Sequence, residues 1–360
     1  MEEKCCVAAI DLGAGSGRII IGEFDGKALN LKDEYRFKNG FINLNGTLCW
    51  DVLNIYQNLL KGFRIFKNKG IKIESVGIDS WGVDVVLLGK DDIPLTFPRC
   101  YRDKRNITAY DSVKYRLNDR EFFDITGIQP NPMNTVYQLA AAYKEDYWKS
   151  VKSFLSISDF FIYVMTGEKM AEYSISSTSQ LIDQKTKYFS NELIERMGFS
   201  KTLFPALAMG PQIRGKFTKL FSEETGYGSV KIANVASHDT GSAISLAEAI
   251  PENELIFNIG TWAIVSAIQK EPIINDFAFE KGITNEGTID GRVRPAKNMT
   301  GMFLVHQCRE YWCQVGRIYS WDKLQEIAKE AEPFIAKIDI EDAGFSEGGN
   351  MPAKIQAYCT

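Results

Sequence analysis

Three turns in this sequence combine glycine with acidic or hydroxyl residues, a combination suited to binding phosphate groups or a sugar. The first turn, residues 11–18 (DLGAGSGR), alternates three glycines with small residues, so its backbone N–H groups could approach a phosphate without interference from Cβ atoms. A dinucleotide fingerprint would open a helix, whereas the residues after Arg18 have a strand pattern, and the sequence contains no Walker A motif. The turn predicts either a phosphate loop set in a β-hairpin or a tight hairpin without a ligand.

The other two turns suit a sugar. Residues 79–84 (DSWGVD) place a Trp-Gly pair between two acids at a strand end. A sugar can stack on an indole and hydrogen-bond to carboxylates, although a buried Trp corner is the commoner use of such a turn. Residues 237–240 (SHDT) lie at a strand-to-helix junction, where Asp239 is either the N-cap of the helix or a general base that accepts a proton from a sugar hydroxyl. Taken alone, this motif favours the cap.

The segments that position these turns alternate between strand and helix patterns, which predicts an α/β protein. Strand patterns occupy residues 5–10, 19–24, 29–37, 73–78, 83–88, 231–236, 254–259, 262–268 and about 292–296. Helix patterns occupy residues 55–66, 134–148, 158–166 (with Ser158 as N-cap and Gly167 as the end), 243–248, 302–313 and 321–331. The strand–turn–strand unit at 254–268 repeats the layout of the opening unit, and we expect a domain boundary near Ile250-Pro251, with domains 1–250 and 251–360.

Composition excludes several other classes of protein. The 360 residues are 45% hydrophobic and 24% charged, with a net charge of −4, which gives no general attraction for nucleic acid. No apolar run approaches the length of a membrane span. Two histidines leave little room for a histidine-based metal centre, and seven cysteines without a C-x-x-C motif are typical of reduced thiols in a cytoplasmic protein.

In several segments, which follow in register from about residue 7 to the end, the chain resembles the FGGY family of carbohydrate kinases. The segments are AAIDLGAGSGR, GIDSWGVDVVLL, YRDKR, NTVYQL, ASHDTGSA, IGTWAIV, and ITNEG followed by KNMTG. The resemblance implies the actin/hexokinase-like fold, in which two ribonuclease-H-like α/β domains enclose the active site in the interdomain cleft. Family members continue well beyond the position of Thr360, so the resemblance also implies that the second domain is incomplete here.

The resemblance implies roles for individual residues. The ATP phosphates would be contacted by Ala14, Gly15, Ser16, Gly17 and Arg18, and ATP would also meet Thr261 from the second domain. The sugar would be lined by Gly82, His238, Asp239 and Thr240, with Asp239 as the general base, while Asn298 would touch the sugar or the nucleotide. Asp11 would hold Mg²⁺ through water. His306 occupies the position at which the family members that phosphorylate L-rhamnulose have a glutamine that contacts ATP. The glutamine of this chain, Gln307, lies one residue after that position.

The implied reaction is ATP + L-rhamnulose → ADP + L-rhamnulose 1-phosphate. Two alternatives to this reaction remain open. In the first, the chain is a kinase of another ketose or polyol, such as fuculose, xylulose or glycerol. In the second, it is a sugar-binding protein without catalysis. From the incomplete second domain we expect that the chain binds the sugar, binds ATP weakly, turns over poorly and is prone to self-association. The partners implied are a small sugar and ATP, with no nucleic acid and no membrane.

Overall fold

The computed structural model describes residues 5–246, 254–259, 262–345 and 349–359. The chain divides into two compact units. The first unit comprises Met1–Pro251 and Ile268–Pro295, and the second comprises Glu252–Ala267 and Ala296–Thr360. The chain thus enters the second unit near residue 251, returns to the first unit at Ile268 and leaves it again after Pro295. The domain boundary expected near Ile250-Pro251 stays a prediction.

The strands and helices alternate along the chain. The strands are β1 Cys5–Leu12, β2 Ser16–Phe24, β3 Leu29–Lys38, β4 Phe41–Leu44, β5 Thr47–Trp50, β6 Ser75–Ser80, β7 Val85–Leu88, β8 Ser153–Ser156, β9 Met170–Glu172, β10 Ile182–Asp183, β11 Tyr188–Phe189, β12 Ala206–Ala208, β13 Ile213–Lys216, β14 Lys231–Ala233, β15 Ile256–Ile259, β16 Trp262–Ser266, β17 Thr284–Gly287 and β18 Val293–Thr300. The α-helices are α1 Val52–Asn68, α2 Arg105–Val113, α3 Asp119–Thr126, α4 Thr135–Tyr143, α5 Ile157–Thr166, α6 Tyr173–Ser177, α7 Asn191–Met197, α8 Lys219–Thr225, α9 Asp239–Ser245, α10 Asp276–Glu280, α11 Phe303–Gln314, α12 Trp321–Glu330 and α13 Met351–Cys359.

The central sheet of the first unit has the strand order β13-β14-β6-β1-β2-β3. Strand β1 runs antiparallel to β2 and parallel to β6, and β6 is in turn parallel to β14. Because β1, β6 and β14 run in the same direction, the segments that follow their carboxyl ends meet at one edge of the sheet. The three turns singled out in the sequence follow these three strands, so the sheet brings all of them to that edge.

Helix α1 packs against this sheet. The helix begins after Asp51, whose side chain accepts a hydrogen bond from the N–H of Asn54. Its apolar residues recur at helical spacing and are buried: Ile55, Leu59, Phe63 and Phe66. Gly62 allows the close approach, because a Cβ there would lie only 2.6 Å from Cδ1 of Ile19 on β2. The packing of α1 on β2 therefore supports the hairpin that contains the first turn.

The predicted helix at 158–166 is confirmed with one correction. Helix α5 ends at Gly167, which has a left-handed backbone conformation, as predicted. Its N-cap is Ser156 and not Ser158, because the hydroxyl of Ser156 accepts the N–H of Asp159, while Ser158 is already buried inside the helix. The helix predicted over 134–148 is shorter than expected, since α4 ends at Tyr143.

In the second unit, β15, β16 and the end of β18 pair as antiparallel strands. A small apolar cluster joins α11, α13 and Phe345, which precedes α13 in the chain. Its buried members are Leu304, Cys308, Phe345 and Met351. Among the described residues of both units, no helix is long and apolar enough to cross a membrane.

Candidate active site

The glycine-rich segment forms the tight turn between β1 and β2. The N–H of Gly13 donates to the carbonyl of Ser16 at 2.9 Å. Asn39 closes the turn, because its backbone N–H donates to the Gly15 carbonyl at 3.3 Å and its side-chain amide donates to the Gly13 carbonyl at 2.8 Å. The N–H groups of Ala14 and Gly15 have no acceptor among the described residues. An ordered turn with two unpaired amides is suited to bind a phosphate.

The three glycines of this turn differ in how much space surrounds them. A Cβ at Gly17 would lie 2.2 Å from Cζ of Phe37, so that glycine is needed for packing within the sheet. A Cβ at Gly13 would lie 3.1 Å from the Ser16 carbonyl oxygen, which is tight. A Cβ at Gly15 would meet no atom within 4 Å, and Gly15 is exposed. Gly15 is therefore the position at which a substitution tests a ligand and leaves the fold intact.

Acidic side chains gather at the ends of β1 and β6. Asp11 lies beside Asp79 in the parallel register and forms an ion pair with Arg18 across the hairpin, with 2.5 Å between Nη2 and Oδ2. Burial raises the pKa of Asp79 to about 7. A hydrogen bond from Ser242 lowers this pKa, and the charges of Asp11 and Asp239 raise it. Several carboxyl groups therefore lie close together at this edge, and Arg18 pairs with only one of them, Asp11.

These carboxylates fit a magnesium ion that is shared with phosphates. No group of three or more His, Cys, Asp or Glu side chains is arranged as a metal site in the part of the chain that the structure describes. Mg²⁺ needs only one or two carboxylates when phosphates and water complete its shell. Oδ1 of Asp79 is buried and has no hydrogen-bond partner among the described atoms, and the water shell of a cation would supply a donor for it. The assignment of Asp11 to Mg²⁺ stays a prediction.

The SHDT segment continues the direction of β14 and meets the end of β6 through a parallel bridge between Ser80 and His238. The N-cap of α9 is His238, and Asp239 is the first residue of the helix, so the interpretation of Asp239 as an N-cap is wrong. Oδ1 of Asp239 accepts the N–H of Thr240 at 2.6 Å and its hydroxyl at 3.2 Å. Oδ2 has no hydrogen-bond partner among the described residues and can accept a proton from a ligand.

Two charged residues that the sequence did not single out surround His238. Nδ1 of His238 lies 3.1 Å from Oε2 of Glu286, which also forms an ion pair with the guanidinium of Arg294. Burial alone would raise the pKa of Glu286, but the charges of Arg294 and His238 lower it to about 2. Glu286 belongs to the quoted segment ITNEG, yet nothing in the local pattern indicates its contact with a residue so distant in the sequence.

The Trp-Gly turn is a structural corner. Trp81 is 5% exposed, its ring centroid lies 4.1 Å from that of Trp50, and both indole N–H groups donate to Asp84. The hypothesis that a sugar stacks on Trp81 is therefore wrong. Gly82 lies next to the site, because a Cβ there would be 3.3 Å from Nε2 of His238. Its predicted contact with the sugar remains untested.

The residue after Gly82 is held in a strained conformation. Val83 has a φ of 67°, in the left-handed region that β-branched residues avoid. Its carbonyl accepts the Thr135 hydroxyl at 2.6 Å and the Gln138 side-chain amide at 3.2 Å, and its N–H donates to the Thr178 hydroxyl at 3.3 Å. These contacts fix the backbone of the Gly82-Val83 turn against His238.

Asp84 is the buried anchor of this turn. The side chain is fully buried and accepts from Trp50 and Trp81 through Oδ2 and from Gln138 through Oδ1. Burial raises the pKa of Asp84 to about 7, while the hydrogen bonds from Gln138, Trp81 and Trp50 lower it. Every one of these side-chain partners is a donor, so the position requires an acceptor at both oxygens.

The substitution Asp84→Asn should lower the free energy of unfolding by about 1–3 kcal/mol, because the new NH₂ group faces a buried donor. Urea denaturation of the two proteins measures the difference. The exposed Asp91 provides the matched control, and Asp91→Asn should change stability by less than about 0.5 kcal/mol. Equal stability of Asp84→Asn and the unsubstituted protein would show that Asp84 does not hold the turn.

The remaining predicted residues belong to the second unit. Thr261 lies outside the described residues. Asn298 is exposed on β18, where it pairs with Ile264 of β16. His306 is exposed on α11, with its ring centroid 4.9 Å from that of Trp321, and both residues line a cavity of about 570 Å³. The side chain of Gln307 donates to Glu310 at 3.1 Å. The predicted contacts of these residues with ATP or sugar stay predictions.

Comparison with known proteins identifies the family. Residues 6–244 match the N-terminal domain of the FGGY family of carbohydrate kinases. The chain is 33% identical to the rhamnulokinase of Bacteroides thetaiotaomicron over 353 residues, which cover 98% of this chain and 72% of that protein. It is 34% identical to the rhamnulokinase of Halalkalibacterium halodurans, covering 98% of this chain and 74% of the relative. The chain therefore belongs to the FGGY family of carbohydrate kinases.

Solved structures confirm the predicted actin/hexokinase-like α/β fold. The ligand-bound xylulose kinase from Lactobacillus acidophilus matches with a TM-score of 0.79 and 17% identity, covering 91% of this chain. The glycerol kinase of Plasmodium falciparum with ADP matches with a TM-score of 0.78 and 14% identity, also covering 91% of this chain. The chain spans 66% of the length of each of these two solved proteins.

Proposed function

We propose that this chain transfers the γ-phosphoryl group of ATP to O1 of L-rhamnulose and yields ADP and L-rhamnulose 1-phosphate. The observation that supports catalysis is the open Oδ2 of Asp239 at the same sheet edge as the glycine turn with its unpaired amides. The choice of sugar is supported by the rhamnulokinases to which the chain is about one third identical. A proton acceptor beside a phosphate-binding turn is the arrangement that phosphoryl transfer to a hydroxyl requires.

In this reaction Asp239 accepts the proton of the sugar hydroxyl as the new O–P bond forms and the bond to ADP breaks. Thr240 keeps Oδ1 occupied, so the proton goes to Oδ2. A general base of this kind accelerates a reaction by about 10²–10⁴-fold. The proton leaves the sugar only as the O–P bond forms, because the hydroxyl becomes acidic only in the transition state.

The negative charge of the phosphates is neutralised by groups of the glycine turn. The amides of Ala14 and Gly15 donate to phosphate oxygens, and Arg18 supplies a positive charge. Asp11 and Asp79 would hold Mg²⁺, which would neutralise further charge on the phosphates. Binding of ATP therefore requires Arg18 to exchange part of its ion pair with Asp11 for a phosphate.

We place the reaction in the cytoplasm, where ATP is available and where the seven cysteines, all free of disulfides, stay reduced.

An ADP-release assay over a panel of sugars tests the proposal. L-Rhamnulose should give the highest kcat/KM of a panel that also contains L-fuculose, D-xylulose and glycerol, by at least about tenfold over the next sugar. A higher kcat/KM for one of the other three would assign the chain to another sugar. Sugar binding by calorimetry without ADP release on any member of the panel would make it a sugar-binding protein and contradict catalysis.

A further inference from the structure

Arg294 and Glu286 form an ion pair next to His238, and the proposed reaction does not use this pair. The Arg294 side chain is 2% exposed and that of Glu286 is 16% exposed, and the two contact each other through Nη2 and Oε2. Nε and Nη1 of Arg294 are buried without hydrogen-bond partners among the described atoms. Burying a pair with two unsatisfied donors is seldom favourable for stability compared with apolar packing. A contribution to stability therefore does not explain why Arg294 and Glu286 are placed here.

The fold holds Glu286 firmly. Its neighbour Asn285 is fully buried on β17, and the Asn285 side chain donates to the carbonyl of Gly127 at 2.8 Å and accepts the N–H of Ile273 at 2.7 Å. On the other side, the N–H of Gly287 donates to the Ser177 hydroxyl at 2.7 Å. With both neighbours fixed to other segments, the carboxylate of Glu286 has little freedom to leave its partners.

Glu286 in turn contacts the residue next to the proposed base. Its Oε2 lies 3.1 Å from Nδ1 of His238, and Nε2 on the opposite side of the ring lies 3.5 Å from Oδ1 of Asp239. The imidazole is thus placed between two carboxylates. The charged groups that face it are Glu286 from β17, Arg294 from β18, Asp239 on its own helix and Asp79 from β6.

We propose that Glu286, fixed by Arg294, is a positioning residue that keeps His238 doubly protonated, with Nδ1–H directed to Glu286 and Nε2–H directed to Oδ1 of Asp239. This inference rests on the proposed function. His238 keeps both protons through the reaction, and the proton of the sugar hydroxyl passes to Oδ2 of Asp239. The imidazolium and Thr240 together occupy Oδ1, so Oδ2 is the oxygen presented to the sugar. Without the charge of Glu286, the half-buried ring would lose a proton and Asp239 would lose its contact with Nε2–H.

Histidine NMR tests this proposal directly, because the chain contains only two histidines, His238 and His306. In protein labelled with ¹³C and ¹⁵N histidine, Glu286→Gln should lower the pKa of His238 by at least about one unit. His306 is exposed on the second unit, and its signals should be the same in every variant, so they serve as the internal reference. Glu286→Asp keeps the charge and should restore part of the shift.

Asp290→Asn is the matched control. Asp290 lies between β17 and β18, where its carboxylate accepts from Thr288 and Arg292 and has no contact with His238 among those described. The same acid-to-amide change there should leave the His238 titration unchanged. If the unpaired Arg294 prevents Glu286→Gln from folding, the double variant Glu286→Gln/Arg294→Met removes both charges. It should still lower the pKa of His238, but by less than Glu286→Gln, because the charge of Arg294 itself lowers this pKa.

Kinetics then separate positioning from a purely structural role. With L-rhamnulose and ATP, Glu286→Gln should lower kcat about tenfold, change KM for ATP little, and move the alkaline limb of the pH–rate profile to lower pH. An unchanged His238 titration in Glu286→Gln, or an equal change in Asp290→Asn, would overturn the proposal. If the unsubstituted protein phosphorylates no sugar while NMR shows the expected shift, the proposed function fails and the positioning of His238 stands.

Discussion

The variant Asp239→Asn should turn over L-rhamnulose at least about 100-fold more slowly than the unsubstituted protein, with sugar affinity changed less than about threefold. Asparagine has the same shape, and its side-chain oxygen can still accept the N–H of Thr240. The amide cannot accept a proton from the sugar hydroxyl at the position of Oδ2. The effect therefore falls on kcat, which a coupled ADP-release assay measures, while calorimetry reports the binding of the sugar.

The control for this variant is Asp276→Asn. Asp276 is the first residue of the short helix α10, as Asp239 is of α9, and it is exposed. The acid-to-amide change at this equivalent helix position should leave kcat within about twofold of the unsubstituted value. Near-normal turnover of Asp239→Asn would mean that the carboxylate serves only the local structure of α9, and the proposed mechanism would be wrong.

The second large effect is expected at the glycine turn. Gly15→Val should raise the Kd for Mg·ATP by at least about tenfold and leave the Kd for the sugar unchanged, because the branched side chain occupies the space in front of the unpaired amides. Gly15 does not have a left-handed conformation and its Cβ would meet no atom, so the variant should fold normally. Calorimetry with a non-hydrolysable ATP analogue measures the first constant.

Gly228→Val provides the matched control. Gly228 is also exposed, and a Cβ at this position would meet no atom within 4 Å. It precedes β14 and so lies at the amino end of that strand, away from the edge that contains the site. Both ligands should bind Gly228→Val as they bind the unsubstituted protein. If Gly15→Val also binds both ligands normally, the first turn is a hairpin without a role in phosphate binding.

Much of the arrangement follows from local sequence patterns. The β-branched run before Asp25-Gly26, the glycine turn and the strand after it predict the β1–β2–β3 meander that the structure contains. Helix α1 follows from apolar residues at helical spacing. These elements were predictable because their hydrophobic periodicity and turn residues are read over a few neighbouring positions.

The errors share a physical origin in contacts between distant segments. Whether Trp81 faces a sugar or the core depends on Trp50 and Asp84, and no local pattern reports the stacking of two indoles. The same holds for Glu286 and Arg294, which contact His238 or each other only because residues 268–295 fold back into the first unit. The cap position of α5 differed by two residues because two serines there suit the role equally well in sequence.

The most direct test of the central claim is ³¹P NMR of a mixture of the purified chain, Mg²⁺, ATP and L-rhamnulose. Transfer to O1 predicts loss of the γ-phosphate signal, appearance of ADP, and a new phosphomonoester signal split into a triplet by the two protons on C1. The same mixture with Asp239→Asn should show the ATP signals almost unchanged over the same time. Release of inorganic phosphate alone, or a new signal split by a single proton, would contradict phosphorylation of L-rhamnulose at O1.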